Sequence, residues 1–122
     1  MIGKICISTT PYYDNITHKQ KFKKRPVLII GQADSSDYNV LPISRVTNSK
    51  NLDPNYDIKV DPIVYPNLKL TALSYIRVHK QTVLNYASLN SIADLKYDYP
   101  QLFQKIIDKL KEYNNELYKL VI

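Results

Sequence analysis

The chain has 122 residues, a formal net charge of +6 at pH 7 and 44% hydrophobic residues. This length corresponds to about one domain with one core, which excludes a second domain. The single cysteine, Cys6, excludes an internal disulfide, and no run approaches the roughly 18 to 20 apolar residues of a membrane span. Because the N-terminal apolar run is also too short for a signal peptide, we expect a cytoplasmic protein without a membrane partner.

The first half of the chain predicts three strands and one long loop. Residues 2–8 alternate apolar with small or polar side chains, which is the period of a half-buried strand. Residues 9–24 contain turn formers followed by a basic run, and we expect a long exposed loop there. Residues 25–32 are aliphatic and predict a central strand; residues 38–44 predict the next, with Pro42 requiring an edge, a bulge or an early end.

The second half predicts further strands and then a helix. Residues 56–62 alternate as a short strand, and residues 68–84 are strand-like throughout, so about five or six short strands indicate a small twisted antiparallel sheet or barrel. From Asp98 onward the apolar residues recur every three or four positions, and Asp98 with Pro100 supplies a helix start. The predicted helix, residues 98–119, has four basic and four acidic side chains. The excess positive charge therefore lies on the sheet and its loops, where we expect phosphate binding.

A cluster of basic and aromatic residues precedes the central strand. Five of the eight residues from His18 to Arg25 are Lys or Arg, and Phe22 and the upstream Tyr12 offer flat faces for base stacking. This combination predicts binding of single-stranded nucleic acid, although a merely solvated loop would have the same composition. The predicted RNA-binding side chains are Lys19, Lys21, Lys23, Lys24, Arg45, Arg77, Lys80, Tyr12 and Phe22.

Arg25 and Ser44 stand out because each lies at the end of a predicted strand. A guanidinium held against an apolar strand can aim its planar fork at a phosphate and stabilise the extra charge of a pentacovalent phosphorus. The Ser44 hydroxyl can hold the same phosphate oxygen or the attacking group. Taken alone, an arginine such as Arg25 is more often a surface charge at a strand start, and a serine such as Ser44 is more often a turn residue.

The two histidines, His18 and His79, are the side chains that ordinarily exchange protons near neutral pH, so either is a candidate for proton transfer in RNA cleavage. Arg77 and His79 are two residues apart, and a strand would point both toward one face. There is no Cys or His cluster at zinc spacing and no glycine-rich phosphate loop, and the carboxylates lie in turn-rich stretches. We therefore expect phosphodiester chemistry without a metal or another cofactor.

Three segments taken in order resemble the MazF/PemK (Kid) family of toxin endoribonucleases from type II toxin-antitoxin systems. They are KRPVLIIG at residues 24–31, VLPIS at residues 40–44 and SYIRVHKQTVL at residues 74–84. The resemblance spans nearly the whole chain and implies one domain over residues 1–122. It further implies an SH3-like antiparallel β-barrel of the CcdB/MazF kind over residues 1–89, with a C-terminal helix at residues 98–119. A homodimer, a cognate antitoxin and sequence-selective cleavage of single-stranded RNA (mRNA interferase activity) are also implied.

The resemblance assigns roles by position. Arg25 matches the family's active-site arginine, and Ser44 matches a hydroxyl residue that is more often threonine. Arg77 matches an arginine implicated in some members, His79 stands where those members have an acidic residue, and His18 lies near a loop histidine of the PemK branch. The first loop lacks the family's glycines and Glu-Gln pair, so its RNA preference is not carried over.

The resulting hypothesis is attack of the RNA 2′-hydroxyl on the adjacent phosphate. Arg25 would stabilise the phosphorane, Ser44 would orient it, and His18 or His79 would transfer protons. The alternative is a protein without catalytic activity on the same barrel, either an RNA-binding module or a gyrase-directed poison like the related CcdB toxins.

Overall fold

Seven strands form a curled antiparallel half-barrel in the computed structural model, which describes residues 1–46 and 48–121. The neighbouring strands follow the order β4-β5-β3-β2-β1-β7, and β6 pairs with β3 beside β5. The strands are β1 (Lys4–Asp14), β2 (Lys19–Gln32), β3 (Asp37–Ser44), β4 (Asp57–Val60), β5 (Ser74–Arg77), β6 (Thr82–Asn85) and β7 (Leu89–Asp94). The predicted class, a small antiparallel β-barrel with a C-terminal helix, is confirmed.

Two helices follow the last strand. The short α1 (Leu95–Asp98) is capped by Asp94, whose carboxylate accepts a hydrogen bond from the Tyr97 N–H. The long α2 (Pro100–Val121) starts at a proline, which is favoured at the first position because its missing N–H would have no partner there. Its predicted bounds, residues 98–119, differ by two residues at each end. No helix in the described part of the chain is long and apolar enough to cross a membrane.

The sheet buries side chains on both faces, and this explains the uninterrupted apolar run in β2. One face packs against α2 in a core that includes Ile5, Leu28, Leu41, Ile76 and Ile106. The other face carries Cys6, Val27, Ile29 and Val40, which are covered by Tyr38, Leu84 and Leu89. Because successive side chains of a strand point to opposite faces, only a strand inside the sheet needs apolar residues at every position.

The expectation of a long loop at residues 9–24 was wrong, because β1 and β2 continue through this segment as a paired hairpin. Their register runs without a break to the pair Asp14 and Lys19. The Asp14 carboxylate accepts hydrogen bonds from the N–H groups of Ile16 and Thr17, and His18 takes the left-handed conformation with φ 55°. The turn formers therefore mark a tight four-residue turn. The pairing was hidden because both faces of this exposed hairpin carry polar side chains, so hydrophobicity does not alternate.

The prediction that residues 68–84 are strand-like throughout was also wrong. A 3₁₀ turn at Val78–Lys80 separates β5 from β6. β5 pairs with the end of β3 at Ile43 and Ser44, whereas β6 pairs with the beginning of β3 from Asp37 to Val40. Two short strands thus share one edge of β3. The β-branched composition predicted extended backbone but does not show where the curled sheet requires a break.

Candidate phosphate-binding site

The candidate site lies where β2 and β3 cease to pair. Their ladder ends at Val27 and Pro42, although β2 itself continues toward the hairpin turn. The next residue of β2 is Pro26, which has no N–H to donate to a neighbouring strand. Beyond this point β3 pairs through its other edge with β5, at Ile43 and Ser44. A cleft is therefore left between β2 and the end of β3.

This cleft has a volume of about 340 Å³ and contains both residues on which the sequence prediction rests. Continuing the β2–β3 register by two residues puts Arg25 opposite Ser44, on the same face of the sheet. Two segments that are 19 residues apart in sequence thus meet at one position. The cleft is lined by Lys24, Arg25, Pro26, Ile43, Ser44 and Arg45.

The charge of the cleft is uniformly positive. Three of its side chains, Lys24, Arg25 and Arg45, are cationic, and no described residue that lines it is acidic. The Arg45 guanidinium donates from Nη2 to Thr71 Oγ1 at 2.6 Å, and this hydrogen bond holds the guanidinium in one orientation. Arg25 is exposed and takes part in none of the ion pairs found within residues 1–46 and 48–121. Its guanidinium, with the neighbouring Ser44 hydroxyl, can bind a phosphate oxygen.

A line of cations leads from the hairpin turn to the cleft. Lys19, Lys21, Lys23 and Arg25 occupy alternate positions of β2, so the pleat directs all four side chains to one face. The contacts of the opposite strand agree with this placement: Lys21 lies 2.9 Å from the Asp14 carboxylate and lowers its pKa. We call these four side chains the cationic line.

The predicted stacking residues divide between the two faces of the hairpin. Tyr12 shares the face of the cationic line, and its ring lies 4.5 Å from Lys23 Nζ. Phe22 and Lys24 lie at the alternate positions and therefore on the other face. Phe22 is 64% exposed, whereas Lys24 contributes to the cleft. Both faces of the hairpin thus present groups that suit single-stranded nucleic acid.

His18 is not beside the cleft within one chain. It lies in the hairpin turn, exposed to solvent, next to the first residue of β2. Arg25 is six positions after Lys19 in the extended β2, so at about 3.4 Å per position their Cα atoms are roughly 20 Å apart. A proton cannot pass directly over that distance, so the structure does not bring His18 together with Arg25 and Ser44.

Arg77 and His79 do lie together, as predicted, but around a buried carboxylate. Arg77 Nε donates to Asp57 Oδ1 at 3.0 Å, and its Nη2 donates to the carbonyl oxygen of Asn51 at 3.0 Å. The Asp57 side chain is 1% exposed and also accepts the N–H of Asp53 at 2.7 Å. The guanidinium of Arg77 is therefore occupied by an internal network and lines no part of the cleft.

His79 has an unusual environment. Its Nδ1 atom is buried, lies 3.8 Å from Asp57 Oδ1 and has no hydrogen-bond partner among the described residues. The ring approaches Tyr56, which in turn packs edge-on against Tyr113 of α2. These contacts link the 3₁₀ turn at Val78–Lys80 to α2 through Tyr56. Neither His79 nor the exposed Lys80 that follows it lines the cleft.

The sequence prediction missed a row of residues beside Ser44. Tyr75 of β5 is paired with Ser44, and Lys59 of β4 is paired with Tyr75, so all three share the face that carries Arg25. Thr71, the partner of Arg45, was missed as well. Tyr75 reaches Ser44 through the pairing of β5 with β3, and Lys59 joins the row through the pairing of β4 with β5; neither pairing can be deduced from local pattern.

Within the described residues, no three His, Cys, Asp or Glu side chains come close enough together to hold a metal ion. No protein-family model matches the chain, and no curated protein matches it.

Proposed function

We propose that the protein is a metal-independent endoribonuclease that cleaves single-stranded RNA in a sequence-selective manner. The observation that carries this proposal is the cleft in which Arg25 and Ser44 meet among cations, without an acidic side chain in its described lining. Such a cleft attracts a polyanion, and its described lining contains no negative side chain that would repel a phosphate. The cationic line adds further phosphate contacts along one face of β2.

The proposed reaction is an internal transesterification of RNA. The 2′-oxygen attacks the adjacent phosphorus, the bond from phosphorus to the 5′-oxygen breaks, and a 2′,3′-cyclic phosphate and a 5′-hydroxyl result. The 2′-hydroxyl loses its proton to solvent, and the leaving 5′-oxygen gains one from solvent. Arg25 and Ser44 stabilise the charge on the non-bridging oxygens, an electrostatic effect worth about 10² to 10³ in rate per donor.

The biological part of the proposal is that the protein is the toxin of a type II toxin-antitoxin system in the cytoplasm. The segments that resemble MazF/PemK toxins lie in the second half of β2, the end of β3, and β5 with β6, and the first two of these segments contribute residues to the cleft. An acidic antitoxin suits the cationic line by charge. The homodimer interface in this proposal is the last two turns of α2. There Leu117, Leu120 and Val121 continue the apolar stripe of the helix but are 42%, 85% and 79% exposed.

The test is incubation of purified protein with mixed RNAs in EDTA, followed by sequencing of the 5′ ends of the fragments. We expect fragments with 5′-hydroxyl ends at a restricted set of sequences. Arg25→Ala should slow cleavage by about 10² to 10³ without loss of folding, whereas Lys111→Ala, which removes an exposed cation on α2, should leave cleavage unchanged. Absence of cleavage on all RNAs without metal would contradict the proposal.

A second candidate function, RNA binding without catalysis, is favoured by one observation. The described lining of the cleft contains neither an imidazole nor a carboxylate, the groups that most often transfer protons in catalysis. In this case the wild-type protein would bind single-stranded RNA and leave it intact. Induction in cells separates a third outcome: growth arrest with intact RNA would indicate a protein target such as gyrase.

A further inference from the structure

The outer half of the β1–β2 hairpin extends beyond the rest of the sheet. β1 pairs with β7 only as far as Ser8, and β2 pairs with β3 only as far as Val27. Past these points, within residues 1–46 and 48–121, the two strands pair with each other alone, and residues 19–25 of β2 are all exposed. Each strand therefore has a free edge, whose unpaired backbone groups can pair with a further strand.

Two prolines identify the backbone groups that point to these edges. In an antiparallel pair of strands, residues alternately exchange two hydrogen bonds with their partners and direct their N–H and C=O groups outward. Pro11 and Pro26 both have partners in the β1–β2 register, and both belong to the second kind because proline has no N–H to donate. By alternation, the residues that direct their backbone groups to the free edge of β2 are Gln20, Phe22 and Lys24.

The two edges differ in their capacity to accept a strand. The middle position of the β1 edge is Pro11, whose missing N–H interrupts a ladder. Gln20, Phe22 and Lys24 each offer one N–H and one C=O, and these groups have no backbone partner among the described residues. A strand added here lies in line with β3, in the position that β3 leaves beyond Val27. Strand addition is therefore favoured at β2 and disfavoured at β1.

The side chains beside the β2 edge determine which strand fits. The cationic line lies on one face of the hairpin, and Pro11, Tyr13 and Phe22 lie on the other, where Tyr13 is 60% and Phe22 64% exposed. A second copy of β2 does not fit, because two cationic lines side by side repel each other. The strand that fits has acidic side chains at alternate positions, beside the cationic line, and apolar side chains between them.

We propose that the free edge of β2 binds an acidic, extended segment of another protein by strand addition. Pairing of the two backbones supplies affinity, and the alternate side chains supply specificity. RNA is attracted by the same charges but does not match the edge, because phosphate oxygens only accept hydrogen bonds and leave the edge carbonyl groups unpaired. Strand addition requires no RNA cleavage and is measured without RNA.

The test uses the full chain and an octapeptide of alternating glutamate and valine, blocked at both ends. A control octapeptide has the same composition with all glutamates before all valines, so its charge is equal and its alternation is lost. Backbone amide exchange is followed by NMR with and without peptide. The amides of Gln20, Phe22 and Lys24 should exchange rapidly in the free protein, and the alternating peptide should slow them at least about tenfold.

Two substitutions of Phe22 separate the backbone from the side chain. Phe22→Ala removes the ring and keeps the N–H, whereas Phe22→Pro removes both. The Phe22 N–H points away from β1, so both variants should retain the hairpin, which is checked by thermal melting. Measured by calorimetry, Phe22→Pro should bind the alternating peptide about tenfold more weakly than Phe22→Ala, because one backbone hydrogen bond is lost.

Three results would overturn strand addition: no binding of the alternating peptide, equal affinity for the two peptides, or unchanged exchange at Gln20, Phe22 and Lys24 when peptide is bound. The last would show that the lysines attract acidic chains by charge alone and otherwise protect the edge from pairing. Equal affinity of folded Phe22→Pro and Phe22→Ala would contradict it as well. If Phe22→Pro does not fold, the exchange of the wild-type amides decides. None of these results bears on the proposed RNA cleft.

Discussion

Replacing Arg25 by alanine and by lysine separates the charge of this side chain from its shape. In the proposed reaction the guanidinium binds two non-bridging oxygens at once, whereas an ammonium binds as a single point. Alanine removes both charge and donors. We therefore expect the order of activity wild type, then Arg25→Lys, then Arg25→Ala.

The magnitude follows from the position of Arg25 in the cleft. A unit charge about 4 Å from a phosphate oxygen, at an effective dielectric constant of about 20, contributes about 4 kcal/mol. Loss of a single donor to an oxyanion costs about 2.7 to 4 kcal/mol in measured cases. Arg25→Ala should therefore lower the single-turnover rate by about 10² to 10³, and Arg25→Lys by roughly tenfold. Since Arg25 is exposed and outside the ion pairs, the free energy of unfolding should change by less than about 0.5 kcal/mol.

The assay is single-turnover cleavage of an end-labelled RNA in EDTA, with protein in excess over RNA and unfolding followed in parallel. Lys111→Ala serves as the control for loss of an exposed positive charge. A rate for Arg25→Ala within threefold of wild type would refute an electrostatic role of Arg25. Full activity of Arg25→Lys beside an inactive Arg25→Ala would show that charge suffices and that the planar fork is not needed.

Three further predictions concern other parts of the molecule. Asp57→Asn should destabilise the fold by about 3 kcal/mol and lower Tm by about 10 °C, because it leaves Arg77 without its buried carboxylate; an unchanged melting curve would contradict this. Burial raises the pKa of the Cys6 thiol, so native protein should react with iodoacetamide more than about tenfold more slowly than protein in guanidinium, and equal rates would be inconsistent with the fold. If the cationic line binds RNA, changing both Lys19 and Lys23 to Gln removes two phosphate contacts. The slope of log Kd against log salt concentration, measured by RNA binding at several salt concentrations, should then fall by about 1.4, at about 0.7 per contact. An unchanged slope would contradict this.

The predictable part of the fold is the part in which local pattern and tertiary structure agree. The aliphatic run after Arg25 became a strand buried on both faces, and the apolar residues of α2 point to one core. Both segments bury apolar side chains in a regular pattern, so the pattern of hydrophobicity identifies them. The hairpin before Arg25 buries little, and its strands were mistaken for a loop because hydrophobicity does not report an exposed pair of strands.

The candidate site divides in the same way. The sequence predicted a strand end at both Arg25 and Ser44; Ser44 does end β3, Arg25 lies within β2, and both residues line one cleft. Arg77 and His79 were expected to share one face of a strand, but β5 ends at Arg77 and His79 lies in the following 3₁₀ turn. Both side chains approach Asp57, twenty residues upstream of Arg77, and no local pattern indicates that this carboxylate would be buried beside them. The positions of Tyr75 and Lys59 depend on the pairing of β5 with β3 and of β4 with β5, which no single segment of the sequence determines.

The cleft itself has an origin in the sequence that becomes clear only from the topology. Pro26 stands one residue before the last pair of the β2–β3 ladder, and β3 continues past Pro42 to pair with β5. A residue with an N–H at position 26 would be free to extend the ladder toward Arg25 and Ser44 and so narrow the gap between them. The proline keeps Arg25 apart from the end of β3, and the continued pairing of β1 with β2 holds Arg25 in place. One residue that cannot donate a hydrogen bond therefore explains why a central strand of the curled sheet borders a cleft wide enough for a phosphate.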